Sequence, residues 1–293
     1  MHLRSTALMA LVALSAALAA SCGDDSVDPA LVWGDPVEEG IYGTMVDIPA
    51  STFTQGCDRQ NMGCSADEVA KKVEDQVFGF QVSLSAYSID KTEVTRLAYR
   101  ECVEDGRCTA PRCNWDPVVN PNRPVVCVSF KQASDFCAWS GKRLPTEAEW
   151  EFAARGDDGR KFPWGDENAT CALAVMDGVD GVDCGEGTDK PVCVGCGTGS
   201  TVKVCSRSPA GDSPFGLCDM AGNAWEWVSD WYGKYPKDAV TDPKGPDSGE
   251  FHVSRGGGIY DVMANLRTTN RYDADRMVTN GFDTGFRCAG DAD

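Results

Sequence analysis

Fifteen cysteines in a chain of 293 residues restrict what this protein can fold into more than any other feature. One of them, Cys22, ends an export-type leader. Arg4 gives that leader a short positive start, Ala7 to Ala20 is apolar except for Ser15, and the small residues Ala19, Ala20 and Ser21 precede the cysteine. The other fourteen are an even number in a chain bound for oxidising surroundings, so up to seven disulfides are expected. A chain cross-linked to that degree can hold long irregular loops without a deep apolar core.

Residues 1–21 are therefore read as a signal peptide, because the apolar run is too short to span a bilayer as a helix. Cys22 followed by Gly23, Asp24 and Asp25 resembles a bacterial lipoprotein junction, in which the cysteine carries the lipid. Ala19 stands where leucine is usual. The expected location is the cell envelope, as a lipoprotein on its periplasmic or outer face, with plain secretion as the alternative. Residues 22–40 are acidic and contain prolines, as a flexible tether would, and residues 41–293 suffice for one domain. No second stretch approaches the ~20 apolar residues of a membrane span, so membrane contact is expected only through the anchor. The net charge of −18 argues against a nucleic-acid partner.

Histidine supply removes whole enzyme classes. Only His2 and His252 occur, and His2 lies in the leader. One histidine cannot build a two-His metal site, and a Ser-His-Asp triad would need His252 beside a GxSxG elbow that the chain lacks.

Short alternating runs at 45–49, 52–56 and 78–84 read as strands. From Thr92, the residues Val94, Leu97, Ala98 and Cys102 fall at helical spacing, and Gly106 ends the run. A second helix starts at Ser129 as N-cap, buries Ala133, Phe136 and Cys137, and stops at Gly141. A third has Thr146 and Glu149 as a capping box, a buried stripe of Trp150, Ala153 and Ala154, and Gly156 as its stop. Beyond residue 160 no long periodic segment occurs. Few helices, short strands and long cross-linked loops define an irregular α+β domain. The six cysteines Cys171, Cys184, Cys193, Cys196, Cys205 and Cys218 allow fifteen pairings, while proximity favours Cys57–Cys64, Cys102–Cys108 and Cys113–Cys127. Export makes disulfides a better reading of Cys193-x-x-Cys196 than zinc.

With those elements placed, seven phrases in order resemble the formylglycine-generating enzyme family, the sulfatase-modifying factors. They are EVTRLAY (93–99), PVVCVSF (124–130), GKRLPTEAEWEFAARG (141–156), PWG (163–165), DMAGNAWEW (219–227), RGG (255–257) and GFRC (285–288). The resemblance covers roughly residues 41–290 and implies a C-type-lectin-like fold with structural calcium. It also implies a disulfide between Cys137 and Cys288, and it leaves out a second family bridge, because Ala154 stands at one of its cysteines. Calcium is implied at the Asp219 and Glu226 side chains and the Gly222 and Ala224 carbonyls, oxygen donors of the kind that ion takes. A second calcium site falls in the 168–189 loop, where Asp177, Asp180 and Asp183 are candidates.

The activity of that family is oxygen-dependent conversion of a sulfatase cysteine to formylglycine on Cu(I) held by two cysteines. Aligned on Arg255-Gly256-Gly257, Gly258 replaces a serine, Asp261 the first cysteine, Val262 a histidine and Leu266 the second cysteine. No cysteine lies between Cys218 and Cys288 to substitute. Leucine ligates no metal and aspartate is a hard donor, so the sequence argues against copper and against oxidase activity. What it leaves is a groove lined by candidates Trp225, Tyr260, Asp261, Arg267 and Arg271. The expected role is a cell-surface module that binds a protein, peptide or glycan. The alternative is oxidation of a protein cysteine, or other chemistry in the same cleft.

Overall fold

The structure, a computed structural model, describes residues 43–57, 79–178, 193–273 and 282–292. The leader, Cys22, the tether, Cys64, Cys184, Asp180 and Asp183 lie outside them.

Three small sheets carry the domain. Strands β1 (Met45–Ile48) and β4 (Tyr87–Asp90) pair antiparallel, and β10 (Ala289–Asp291) pairs antiparallel with β4 on its other side. The second sheet joins β2 (Ser51–Gln55), β3 (Phe80–Leu84) and the two-residue β6 (Val240–Thr241). The third runs in the order β8 (Arg271–Asp273), β7 (His252–Arg255), β5 (Trp225–Trp231) and β9 (Thr284–Phe286). Strand β5 is antiparallel to β7 and parallel to β9, so it brings the DMAGNAWEW, RGG and GFRC segments side by side.

All three expected helices form. Helix α1 (Arg96–Glu104) begins four residues later than its periodicity, because the Thr95 hydroxyl caps the Ala98 amide. Val94 is drawn instead into backbone bonds with Phe286 and Val125. Helix α2 (Phe130–Trp139) has Ser129 and Gln132 as a reciprocal capping box, and α3 (Glu147–Arg155) has Thr146 and Glu149.

Helix α3 is buried on every side, where its sequence shows one apolar stripe. The reason is charge pairing in the interior. Glu151 meets Arg155 at 3.0 Å and Arg255 at 2.6 Å, and Glu147 meets Arg255 at 3.2 Å and Arg271 at 2.7 Å. Removing one partner from such a pair leaves an uncompensated buried charge and costs about 3–5 kcal/mol.

One core packs Phe53, Val82, Tyr87 and Ile89 of the first two sheets against Trp150 and Phe152 of α3 and Val228 of β5. Another packs Tyr99, Phe136, Trp227 and Phe286 around the Cys137–Cys288 disulfide, which ties α2 to the end of the chain. Bridges also join Cys102 to Cys108, Cys113 to Cys127, Cys171 to Cys196, and Cys205 to Cys218. Cys57 and Cys193 are disulfide-bonded as well. Cys196 therefore takes a partner 25 residues back rather than Cys193, and neither sulfur is a free thiol.

Candidate functional site

The segment after β7 turns back on itself around Asp261. Trp225 Nε1 donates to Asp261 Oδ2 at 2.6 Å, the Gly258 amide donates to the same oxygen at 3.0 Å, and Asn265 Nδ2 donates to Oδ1 at 2.7 Å. Neutral donors hold this carboxylate, with no arginine paired to it among the described residues. Leu266 ends a single 3-10 turn (Met263–Leu266) and is fully buried against Phe162, Ala169, Ala174, Met176 and Ala221. Two positions that would carry thiolates thus serve the loop and the core.

Gly258 is required by its neighbour. A Cβ at this position would overlap the Asp283 carboxyl and touch Trp225 at 3.1 Å, so a side chain here requires the Asp283 side chain to move. Burial, then the nearby Asp261 charge, push the Asp283 carboxyl up to about 7, with backbone amides at Tyr260 and Ile259 opposing. Its Oδ2 is sealed from solvent without a hydrogen-bond partner among the described residues. Nothing in the sequence pattern marked Asp283; its proximity comes from β9 lying beside β5.

Around this locked turn the surface is apolar. Tyr260 and Val262 are about half exposed, at 53% and 54%, and Met263 and Phe282 are also exposed. The other groove candidates are not at the surface. Trp225 is buried with its ring 5.4 Å from that of Tyr272, Arg267 is buried, and Arg271 is committed to Glu147 and the Gly233 carbonyl. Both Trp225 and Trp227 are core residues, the second donating to the Val128 carbonyl.

Copper does not fit these residues. Both Asp261 oxygens are occupied, Leu266 is inside the core, and each cysteine among the described residues is in a disulfide. No chemical step through that metal follows from this arrangement.

Calcium is a different case. Asp219 and Glu226 meet a third buried carboxylate, Glu93, which is not among the four implied donors. Arg287 grips Glu226 with both prongs at 2.7 Å, and Trp150 Nε1 donates to it at 2.8 Å. Asp219 Oδ2 accepts from the Cys205 amide at 2.6 Å, and Asn223 Nδ2 donates to Glu93 Oε1 at 2.9 Å. Burial pushes Asp219 up to about 6, while the Cys205 amide and Arg287 pull it down. Glu93 rises well above the usual carboxylate range through burial and its acidic neighbours. Glu93 Oε2 has no hydrogen-bond partner among the described residues.

Among those residues, no three His, Cys, Asp or Glu side chains form a metal cage. The four-donor calcium set needs only two carboxylates and two carbonyls. The loop that carries these residues turns at Gly222, whose φ is +81° and where a Cβ would strike the Val175 backbone. Three buried carboxylates thus face one guanidinium, which leaves the cluster with excess negative charge.

A mixed domain with few helices, three irregular sheets and many disulfides is a C-type-lectin-like fold of the formylglycine-generating type. The chain belongs to the family described as the sulfatase-modifying factor enzyme 1-like domain, whose model matches residues 35–292. It is 41% identical to the formylglycine-generating enzyme of Streptomyces coelicolor over 185 residues, which cover 59% of this chain and 54% of that protein. It is 29% identical to the Bos taurus formylglycine-generating enzyme, covering 84% of this chain and 74% of the other. A hercynine oxygenase of Mycolicibacterium thermoresistibile is 30% identical, over 88% of this chain and 61% of its own length. The chain spans a little over half the length of the actinobacterial formylglycine-generating enzymes it matches. Among solved structures, PvdO from Pseudomonas aeruginosa shares the fold with a TM-score of 0.61 at 24% identity, covering 85% of this chain and 94% of its own. Treponema denticola variable protein 1 does so at 0.63 and 24%, covering 86% and 95%.

Proposed function

We propose that this chain is a non-oxidase member of its family, an exported and lipid-anchored module of the cell envelope that binds a protein, peptide or glycan. The surface assigned to binding is the one around the altered site, with Tyr260, Val262, Met263 and Phe282 as contacts. One observation carries the reading. The residues at the former catalytic positions are committed to structure through Asp261 and Leu266, while the large apolar side chains beside them stay in solvent. Exposed apolar side chains grouped in a patch are typical of recognition surfaces. Calcium bound by Asp219, Glu226 and the Gly222 and Ala224 carbonyls would offset the buried negative charge and hold the loop that leads into β5.

A second reading is acid–base chemistry in the same cleft. It is favoured by Asp283, a buried carboxyl that titrates near neutrality beside Asp261.

The test has two parts. Purified protein incubated aerobically with Cu(I) and a CxPxR peptide is expected to leave the peptide mass unchanged; conversion of the thiol to an aldehyde overturns the proposal. Peptide and glycan arrays are expected to give a ligand whose binding falls at least tenfold on Tyr260→Ser or Phe282→Ser. Arrays that stay blank, or binding indifferent to both substitutions, count against the binding surface.

A further inference from the structure

A second cavity, of about 300 Å³, opens beside β5, lined by residues the altered site does not use apart from Arg271. Its apolar lining comes from Phe80, Trp231, Pro236, Val240, Pro243 and Pro246, and its charged lining includes Glu147 and Arg271. Trp231 is held rigidly, since it stacks on His252 at 3.7 Å and His252 stacks on Phe130 at 3.4 Å. In the floor lies Asp230, 4% exposed. Its Oδ2 accepts from the Glu147 amide at 2.8 Å and the Ser229 hydroxyl at 3.1 Å. Oδ1 accepts no hydrogen bond from the described residues, and no cationic side chain among them pairs with this carboxylate. The neighbouring Arg271 guanidinium is already bound to Glu147 and the Gly233 carbonyl.

A buried carboxylate with one oxygen left unbonded is poorly solvated, and an entering cation that donates to it relieves that cost. We propose that this cavity is a binding site for a primary ammonium carried on a small apolar body, with Asp230 Oδ1 accepting the N–H and Trp231 facing the alkyl or aryl part. The volume is at the lower end for ligand sites, which limits the body to a few carbons or one ring. Lys234 and Lys244 also line the cavity, and their charges oppose a polycation, so the occupant carries a single ammonium. Burial, then Glu147, push the Asp230 carboxyl up to about 7, against the Glu147 amide, the Ser229 hydroxyl and Arg271, which pull it down. The same ligand chemistry could come as a free monoamine or as a lysine side chain of a partner peptide.

The proposal is independent of the binding surface around Tyr260, and its test reads a different ligand. The full chain is titrated at pH 8 by calorimetry with n-butylammonium, with the neutral isostere 1-butanol, and with a short unstructured peptide containing one lysine. Saturable binding of n-butylammonium, at least tenfold tighter than 1-butanol, is expected. Asp230→Asn should weaken it at least tenfold while near-UV circular dichroism stays native. Gly245→Ala provides a second route, because a Cβ there would press on Asp230 at its Cβ and Oδ1, 2.9 and 3.0 Å away, and so disturb the carboxylate. Peptide binding with the same dependence on Asp230 assigns the ligand to a protein partner, and amine binding without peptide binding assigns it to a free monoamine. Equal affinity for butanol, unchanged binding in both variants, or no saturation by either amine probe overturns the site.

Discussion

Gly258 and the Asp283 carboxyl occupy adjoining space, so that no side chain fits on Gly258 while Asp283 stays where it is. That contact leaves no space for the serine that the family resemblance implies at this position while Asp283 keeps its place. Restoring the family's serine is therefore expected to destabilise. Gly258→Ser should cost about 1–3 kcal/mol through overpacking. Gly258→Ser combined with Asp283→Gly should recover most of that loss, since neighbours in contact are non-additive. Denaturant midpoints of the two variants and the parent decide it, and an unaltered midpoint for Gly258→Ser would refute the steric account.

The same Asp283 gives stability a pH dependence of known sign. Its carboxyl is raised in the folded protein from 3.8 to about 7. Between those values the folded state keeps a proton that the unfolded chain releases, so stability falls as pH rises from about 4 to 7 and is flat above. The shift corresponds to at most about 4 kcal/mol. Asp283→Asn, which resembles the neutral acid, should flatten that part of the profile. Parallel pH profiles for parent and variant would remove Asp283 as the cause.

Glu93, Asp219 and Glu226 predict a dependence on calcium. A cation bound only to the native state stabilises it by about 2.7 kcal/mol at a hundred times its Kd. For a domain of this size, chelation should then lower Tm by about 5–10 °C. Calorimetric titration of the stripped protein should show calcium binding that Asp219→Ala weakens. A melt indifferent to chelator, with no heat of binding, would count decisively against the assignment.

The bridge from Cys137 to Cys288 closes a loop of 151 residues. On the chain-entropy model it contributes about 4–5 kcal/mol. Replacing both cysteines by serine should lower the unfolding free energy by that order. Thiol titration of the denatured, unreduced parent should find close to no free sulfhydryls among the cysteines seen bridged.

Much of the architecture was legible in the chain itself. Ser129 with Gln132 and Thr146 with Glu149 are local chemistry, so two helix starts were fixed by residues three apart. Cys102–Cys108 and Cys113–Cys127 followed from proximity. Tertiary structure decided the rest, because it depends on which distant segments become neighbours. Arg271 left the groove for Glu147, 124 residues away, because a buried carboxylate on α3 needed its charge. Asp283 reached Gly258 and Glu93 reached Asn223 only because β5, β7 and β9 were laid side by side. Short-range hydrogen bonding and donor chemistry are written in the order of residues, whereas burial and the pairing of charges arise once the chain has closed around them.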